Sequence, residues 1–468
     1  MAAINGRDVA SRTNPSRAQQ SRAAVARVDE ALSHRWGEGR IAPSLDRIRA
    51  LLDLLGDPQT AYRSIHLTGT NGKTTTARMI DELLRTSELR TGRYTSPHLE
   101  STTERIVVDG EPVDGVRLAE TYDEIAPLIE IVDARSDVRM TFFEVLTAMA
   151  YAIFADTPVE AAVVEVGLGG SWDATNVLDG DIAVVTPIGL DHTEYLGNDV
   201  ATIAAEKAGI IKPGATAILA IQEKSAAEVL IRRAVEVGAT VAREGMEFGI
   251  ADRRVAVGGQ VISLQGLGGR YDDVFLPLYG AHQAQNAAVA LASVEAFFGA
   301  GAATGPLDAD LVRAAFANVS SPGRLEAVRS SPTVLLDAAH NPHGMAATVT
   351  AIRESFSFRR LVAVLGVLEG KDVVGLLHAL QPVVDELVVT QNSSPRAMAA
   401  DDLAAAAVDV FDTDQVTVEP RLDDALETAI RLAEESDDVD TISGSGVLVT
   451  GSVITAGEAR TLLGGARG

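Results

Sequence analysis

The stretch RSIHLTGTNGKTT, residues 63–75, decides the fold of the first part of this chain. A strand-like run leads into the glycine-rich turn Gly69–Thr75, and a helical pattern follows from Thr74 to about Leu89. This order directs backbone N–H groups and a helix N-terminus at an anion. Lys73 adds a mobile cation for the outer phosphates, and Thr74 adds a hydroxyl near a bound metal ion. The stretch therefore predicts an ATP site, although it has His66-Leu67-Thr68 where many such loops carry another glycine.

Length and composition predict a two-domain α/β protein. The 468 residues exceed what one hydrophobic core usually covers, and 46% of them are apolar. We find no apolar run near the ~18–20 residues that a membrane span needs, so we expect no membrane partner. The first 25 residues are polar and lack an apolar signal-peptide segment, which favours a disordered tail over residues 1–25.

Two further counts exclude classes of function. The chain has no cysteine, which excludes disulfides, cysteine-ligated metals and thiol nucleophiles and favours the cytoplasm. The net charge of −25 argues against a nucleic-acid surface, which requires clustered Lys and Arg. Small anionic substrates stay possible, because a local pocket can be positive on an acidic protein.

Strand and helix patterns alternate from about residue 41 to residue 318, which predicts a mostly parallel sheet in a first domain at residues 26–320. The predicted strands are Ile65–Thr68, Ala161–Val166, Ile182–Thr186 and Ala215–Ala220. The predicted helices are Arg117–Val132, Thr141–Asp156, Val200–Ala208, Lys224–Val237 and His282–Phe298. A period of two between Arg253 and Leu278 predicts a small antiparallel sheet.

A second α/β alternation follows the linker Ser320–Gly323 and predicts a smaller Rossmann-like domain at residues 321–468. Its predicted strands are Thr333–Leu336, Leu361–Leu365, Glu386–Thr390 and Val447–Thr450. Its predicted helices are Gly344–Ser355, Val373–Leu380 and one around Leu422–Glu435. A cleft between two α/β domains is a common ligand site.

Several polar residues lie where buried strands of the first domain end. Glu165 closes one strand, at the sheet edge where Mg²⁺ is usually held, and His192 follows the next strand. Lys207 lies in a helix and is one of only five lysines among 40 basic residues. Each has an alternative interpretation: a solvent-facing carboxylate, a packed or capping histidine, and a helix C-terminal cation. Asp337–Pro342 opens the second domain's first strand–turn–helix and suits either a helix cap or nucleotide contacts.

Eight ordered motifs resemble the folylpolyglutamate synthase family, whose members are often also dihydrofolate synthases and which belongs to the Mur ligase superfamily. The motifs are Gly69–Lys73, Ser96–Leu99, Glu104–Ile106, Glu165–Gly170 with Asp173–Asn176, Leu190–Gly197, Glu206–Ile210, Pro322–Arg324 and Asp337–Pro342. The resemblance implies an ATP-dependent ligase that adds L-glutamate to folates and also to dihydropteroate through an acyl phosphate. It also implies small-molecule partners only and a monomer.

The resemblance also implies roles for individual residues. ATP would contact Thr70, Asn71, Gly72, Lys73, Thr74, Asn286, Arg324, Asp337 and His340. One Mg²⁺ would be held by Ser96 and Glu165, and a second by His192 and Lys207, with Lys207 carbamylated. The catalytic residues would be Lys73, Glu165, His192, Lys207 and Arg324. The pteroate would lie against Ala42, Leu45, Thr141, Phe143, Glu144, Trp172, Asp173 and Ala174.

Two departures from the family pattern keep alternatives open. Lys73-Thr74-Thr75 is similar to the loop of the Mur ligases that build peptidoglycan precursors, whereas folate members usually have Gly after the lysine. About 65 residues precede the loop, too few for the UDP-sugar domain of those ligases, and the Ser96–Leu99 and Asp337–Pro342 strings favour the folate branch. Ser171-Trp172 replaces the usual Arg-Leu, although Trp172 can still stack on a pterin. A non-catalytic ATP-binding regulator on the same scaffold is a further alternative, which the presence of all expected ligand residues disfavours.

Overall fold

The computed structural model describes residues 16–37, 42–301, 303–435 and 444–464. Within these ranges the chain forms two α/β units joined near Ser321, with a small antiparallel sheet attached to the first. The α/β class with a mostly parallel first sheet and a second, smaller α/β unit is confirmed.

The first unit is built on an eight-stranded sheet in the order β4-β3-β2-β5-β1-β6-β7-β8. Its strands are β1 Arg63–Thr68, β2 Thr91–Tyr94, β3 Ile106–Val108, β4 Glu111–Pro112, β5 Ala161–Glu165, β6 Ile182–Val185, β7 Thr216–Leu219 and β8 Thr240–Arg243. All neighbours pair in parallel except β2 with β3 and β3 with β4. In the register, Leu67 lies opposite Glu165 and Thr68 lies opposite Val185, so three central strands end together at one edge.

Helices cover both faces of this sheet. They are α1 Arg17–Ser33, α2 Asp46–Leu54, α3 Lys73–Thr86, α4 Gly115–Asp133, α5 Phe142–Asp156, α6 Thr193–Leu196, α7 Val200–Lys207, α8 Lys224–Val237, α9 Ala281–Phe298 and α10 Ala309–Asn318. The alanine-rich α9 is buried over most of its length and packs on α3, because small side chains allow two helices to lie close together. The added antiparallel sheet consists of β9 Gly249–Ala256, β10 Gly259–Gln265 and β11 Arg270–Leu276.

The second unit carries a six-stranded sheet in the order β12-β13-β17-β14-β15-β16, of which β12 alone is antiparallel to its neighbour. Its strands are β12 Glu326–Ser330, β13 Thr333–Leu336, β14 Arg360–Leu365, β15 Glu386–Gln391, β16 Val416–Arg421 and β17 Ser445–Thr450. Its helices are α11 Pro342–Ser355, α12 Val373–Leu380, α13 Ala400–Ala407, α14 Leu422–Glu434 and α15 Val453–Leu462. Unbroken apolar strands such as β14 and β17 are buried on both faces, as a covered parallel sheet requires.

The expected disordered tail is wrong for residues 17–25, which lie within helix α1. Ser16 caps this helix in a reciprocal pair with Gln19, and Val28 and Leu32 bury its inner face beside α4. Polar residues dominate its first turns, so the sequence pattern alone did not indicate a packed helix. The expected disorder of residues 1–15 lies outside the described residues. Within the described ranges, none of the helices has the length and apolar content that spanning a membrane requires.

Candidate active site

The glycine-rich loop after β1 has a backbone shape that two of its glycines make possible. Gly69 has φ +148° and Gly72 has φ +88°, and α3 begins directly after Gly72. A Cβ atom on Gly69 would lie 1.9 Å from Thr186 Oγ1, and one on Gly72 would lie 2.5 Å from Asn286 Oδ1. The loop therefore packs against two neighbouring elements, and Thr70 N and Asn71 N donate to Pro187 O at 2.9 and 3.4 Å. The N-terminus of α3, which begins directly after Gly72, remains the part of the loop that suits an anion.

Lys73 stands at the first position of α3, inside this loop. Its Nζ donates to the carbonyl oxygens of Gly69 and Thr70, each at 3.2 Å. Burial lowers the pKa of Lys73, and the nearby carboxylate of Glu165 partly opposes that shift. The two hydrogen bonds are to neutral acceptors, so the ammonium keeps its charge available for a phosphate.

Glu165 ends β5 beside the loop and is only 1% exposed. Both carboxylate oxygens accept from the Thr74 hydroxyl, at 2.9 and 3.0 Å, and Oε2 accepts from Ser96 N at 3.4 Å. Burial raises the pKa of Glu165, while Lys73 and the Thr74 hydrogen bond oppose the rise. A buried carboxylate between two hydroxyl residues is a donor set that fits a hard divalent cation.

Lys207 ends α7 on the other side of the loop and is 4% exposed. Its Nζ donates to Gly69 O at 2.9 Å. Burial, together with the neighbouring charge of Lys73, lowers the pKa of Lys207 to about 7. A Cβ on Gly170 would lie 2.9 Å from Lys207 Cα, so the loop after β5 packs directly on this segment. A lysine with this pKa is about half neutral near pH 7, and the neutral amine is the form that reacts with carbon dioxide.

His192 precedes the single-turn helix α6 with a left-handed φ of 50°. Burial, together with the charge of Lys371, lowers the pKa of His192 to about 4 although Asp191 opposes the shift. At neutral pH the ring is uncharged and offers a lone pair. Within the described ranges, no group of three or more His, Asp and Glu side chains forms a metal cage by itself.

The second unit contributes the remaining wall of the same cavity. Arg324, Asp337 and His340 of the second unit line it. The first unit contributes Asn286 of α9, the phosphate loop, Ser96, Glu165, His192 and Lys207. Asp337 accepts from Leu325 N, Ala339 N and the Thr348 hydroxyl at 2.8–3.0 Å, so its carboxylate also fixes the turn after β13. The structure therefore brings together all the residues predicted for the nucleotide and metal sites.

Asp191 was missed by the sequence analysis, although it lies in the Leu190–Gly197 motif. Its carboxylate lies 2.7 Å from Lys371 Nζ and 3.5 Å from His340 Nε2, and it accepts from Asn341 Nδ2 at 3.1 Å. Burial opposes its ionisation, but the hydrogen bond of His340 and the charge of Lys371 hold the pKa of Asp191 well below its usual range. Asp191 therefore ties the first unit to the second. The sequence did contain one signal for this contact, because Lys371 is another of the chain's only five lysines.

A second cavity, of about 410 Å³, adjoins the first and shares with it Ser96, His192 and His340. Its wall includes seven of the residues predicted for pteroate: Ala42, Thr141, Phe143, Glu144, Trp172, Asp173 and Ala174. Leu45 does not line it, because its side chain packs toward the α2–α5 core and a different, basic cavity.

Two of the three carboxylates that line this second cavity already have partners. Glu144 pairs with Arg47 Nε at 3.0 Å and accepts from Thr141 N at 2.8 Å. Asp173 accepts from Leu168 N and from Thr175, and burial raises the pKa of Asp173. Phe143 and Trp172 supply flat apolar surface, so the cavity suits an aromatic ring whose polar edge meets a few fixed groups.

Comparison with known proteins gives two family models. Residues 67–294 match the Mur ligase middle domain, and residues 323–452 match the Mur ligase glutamate ligase domain. The chain is also 53% identical over 460 residues to the dihydrofolate synthase/folylpolyglutamate synthase of Mycobacterium tuberculosis, covering 94% of each chain. The chain belongs to the folylpolyglutamate synthase/dihydrofolate synthase family. This confirms the resemblance found in the sequence and supports the folate branch over the peptidoglycan alternative.

Solved structures of the folylpolyglutamate synthase family have the same fold. The Mycobacterium tuberculosis folylpolyglutamate synthase complexed with ADP is 52% identical, with a TM-score of 0.91, covering 95% of this chain and 99% of that one. Escherichia coli FolC in complex with DHPP and ADP is 29% identical, with a TM-score of 0.80, covering 96% and 99%. As a member of this family the chain is an ATP-dependent ligase that acts on small molecules.

Proposed function

We propose that this chain joins L-glutamate to the free carboxylate of a folate, and also of dihydropteroate, with cleavage of ATP to ADP and phosphate. The observation that carries the proposal is the adjoining pair of cavities: one surrounds the phosphate loop, and the other has aromatic walls. Their shared wall at Ser96, His192 and His340 is where a substrate carboxylate and a terminal phosphate can meet.

Two Mg²⁺ ions complete the proposed site. Ser96 and Glu165 would hold one of them, a role supported by the burial of Glu165 and by the oxygen character of its neighbours. His192 and a carbamylated Lys207 would hold the other. The lowered pKa of Lys207 supports its carbamylation, because a neutral amine is the nucleophile that captures carbon dioxide. When bound, the cations neutralise phosphate charge.

The reaction requires activation of a carboxylate, which is a poor electrophile. Transfer of the terminal phosphoryl group of ATP to this carboxylate gives an acyl phosphate. The glutamate amine then attacks the acyl carbon, phosphate leaves and an amide forms. Lys73 and Arg324 line the cavity from opposite sides and would offset the charge that develops on the transferred group.

The proposed substrates are small molecules, and all groups of the site come from one chain. A monomer in the cytoplasm is sufficient for this scheme, and we propose that state. Sedimentation velocity of the purified chain, with and without ADP, measures the oligomeric state directly. A species of twice the chain's mass that alone carries activity would refute the monomer.

A parallel assay separates the proposed substrates. ADP release is measured with dihydropteroate, tetrahydrofolate and a UDP-muramoyl peptide as alternative acceptors, each with labelled L-glutamate. We expect turnover and incorporation of label with both pteridine substrates. Turnover with the UDP-muramoyl peptide alone would overturn the folate assignment, and turnover with only one pteridine would overturn the dual specificity.

A further inference from the structure

A third cavity, of about 390 Å³, lies outside the two cavities assigned above and has a basic wall. Arg49 of α2, Lys212 after α7 and Arg233 of α8 converge on it, together with Ser171 and Asn176. Three cations from three separate segments meet here in a chain whose net charge is −25. We propose that this cavity binds a phosphate group, either free inorganic phosphate or a phosphate monoester.

The three cations are poorly neutralised by the protein itself. Lys212 Nζ has one acidic neighbour, Asp179 at 3.8 Å, whose side chain is 90% exposed and therefore well screened. The guanidinium Nε of Arg233 is buried and has no hydrogen-bond partner among the described residues. Burial lowers the pKa of Lys212, and the charges of Arg49 and Arg233 add to the shift. An anion in the cavity would relieve both the repulsion and the unmade hydrogen bond.

Asn176 indicates that the ligand also carries a hydrogen-bond donor. This residue is 4% exposed, and its Nδ2 donates to Ser171 O and Gly209 O at 3.0 and 3.3 Å. Its Oδ1 is buried without a partner, although a buried acceptor normally has one. Inorganic phosphate keeps a protonated oxygen near neutral pH and so supplies a donor together with several acceptors, and a monoester can supply a donor through a hydroxyl of its organic part. Sulfate and carboxylates near neutral pH supply acceptors only.

The cavity lies behind the segment that carries Lys207. Ala205 and Gly209 line it, while Lys207 between them points to Gly69 O on the other side. Ser171 N and Oγ both donate to Glu206 O at 3.0 Å, which holds this wall in place. The proposed phosphate site is therefore separate from the phosphate loop, and the two can be filled independently.

Calorimetric titration of the full chain with inorganic phosphate tests the proposal, with the nucleotide site saturated by AMPPCP. We expect one binding event in the unaltered chain. Arg233→Gln should weaken it about tenfold or more, the effect of one lost charge-assisted hydrogen bond, and Lys212→Gln should act in the same direction. Arg232→Gln is the matched control, because Arg232 is the exposed neighbour on the same helix and does not line the cavity.

Three further ligands separate the sources of the anion. Glycerol phosphate tests a monoester, sulfate tests an anion without a donor, and glutarate tests a dicarboxylate. Phosphate or glycerol phosphate should bind more tightly than sulfate and glutarate. The proposal is overturned if millimolar phosphate does not bind, if glutarate binds instead, or if Arg233→Gln and Arg232→Gln bind phosphate equally. Ligase turnover in phosphate-free buffer confirms that each variant is folded.

Discussion

Replacing Glu165 by glutamine should make the protein less active and, without metal, slightly more stable. Glutamine keeps the size of the side chain and an acceptor for the Thr74 hydroxyl, which lies 2.9 Å from Oε1. It removes the negative charge that the proposed Mg²⁺ site requires. The effects on activity and on stability have opposite signs. The buried carboxylate helps to bind a cation when one is present, and it destabilises the folded state when none is bound.

The magnitudes follow from the burial of this carboxylate. A bound cation contributes several kcal/mol of charge stabilisation, and loss of about 4 kcal/mol lowers kcat about 10³-fold. In the apoprotein the raised pKa of Glu165 means that the folded state disfavours the ionised form, so stability falls as the pH rises through this range. Removing the charge at pH 7 should therefore raise Tm by about 1–2 °C for each kcal/mol relieved.

Coupled measurement of ADP release gives kcat, and calorimetry in EDTA gives Tm. Glu244→Gln is the control, since Glu244 is also buried with a raised pKa and accepts a hydrogen bond from Ile221 N. It does not line the cavity of the phosphate loop, so its variant should keep normal turnover. Normal turnover in Glu165→Gln, or a lower Tm in EDTA than the unaltered chain, would refute the reasoning.

Four further predictions concern other parts of the molecule. Lys207→Arg keeps a positive charge but cannot form a carbamate, so turnover should fall more than about 100-fold. ¹³C NMR with labelled bicarbonate should show a carbamate signal in the unaltered chain only, and a signal in both proteins would contradict the assignment. Trp172→Ala should raise KM for dihydropteroate about tenfold with little change in kcat, as expected for lost ring contact; an unchanged KM in steady-state assays argues against stacking. Asp191→Asn and Lys371→Met should each lower kcat/KM by about tenfold, and the double variant should have a kcat/KM no lower than that of either single variant. Additive losses in this double-mutant cycle would show that the two side chains, 2.7 Å apart, do not act as a unit. His66 is fully buried, and burial together with the charge of Lys212 lowers the pKa of His66 to about 3. Only the unfolded state therefore binds a proton at this histidine as the pH falls below about 6.5, and roughly 2 kcal/mol of stability is lost between about pH 7 and pH 5. Urea unfolding at these two pH values should show a smaller loss in His66→Gln, and an equal loss would exclude this histidine as the source.

The sequence predicted the buried elements of the fold well, because their patterns are strong. The strand β5 is a run of Ala and Val up to its last residue, Glu165, and β6 is a run of Ala and Val after its first residue, Ile182. Each prediction ended one residue beyond the observed strand. The strands β2 and β8 were missed, since four-residue segments containing Thr, Gly or Arg show no clear period. Their pairing depends on neighbours that lie far away in sequence, which a local pattern does not contain.

The candidate site was predictable where a motif fixes both residue type and backbone position. Lys73 and Glu165 are set by the loop and by a strand end, so their meeting followed from the parallel sheet. Contacts between the two units were not predictable in the same way. Asp191 meets Lys371 only through the relative position of the units, and Leu45 faces the core because of how α2 packs.

The nucleotide cavity has walls from both units, which constrains the order of events in each cycle. Asn71 in the phosphate loop exchanges hydrogen bonds with Asn341, and Asp191 is held by Lys371 from the same opposing unit. These contacts span the cavity that suits the nucleotide, so we expect dissociation of ADP to depend on separation of the two units. Variants that strengthen the contacts between the units should slow release of ADP without altering bond formation.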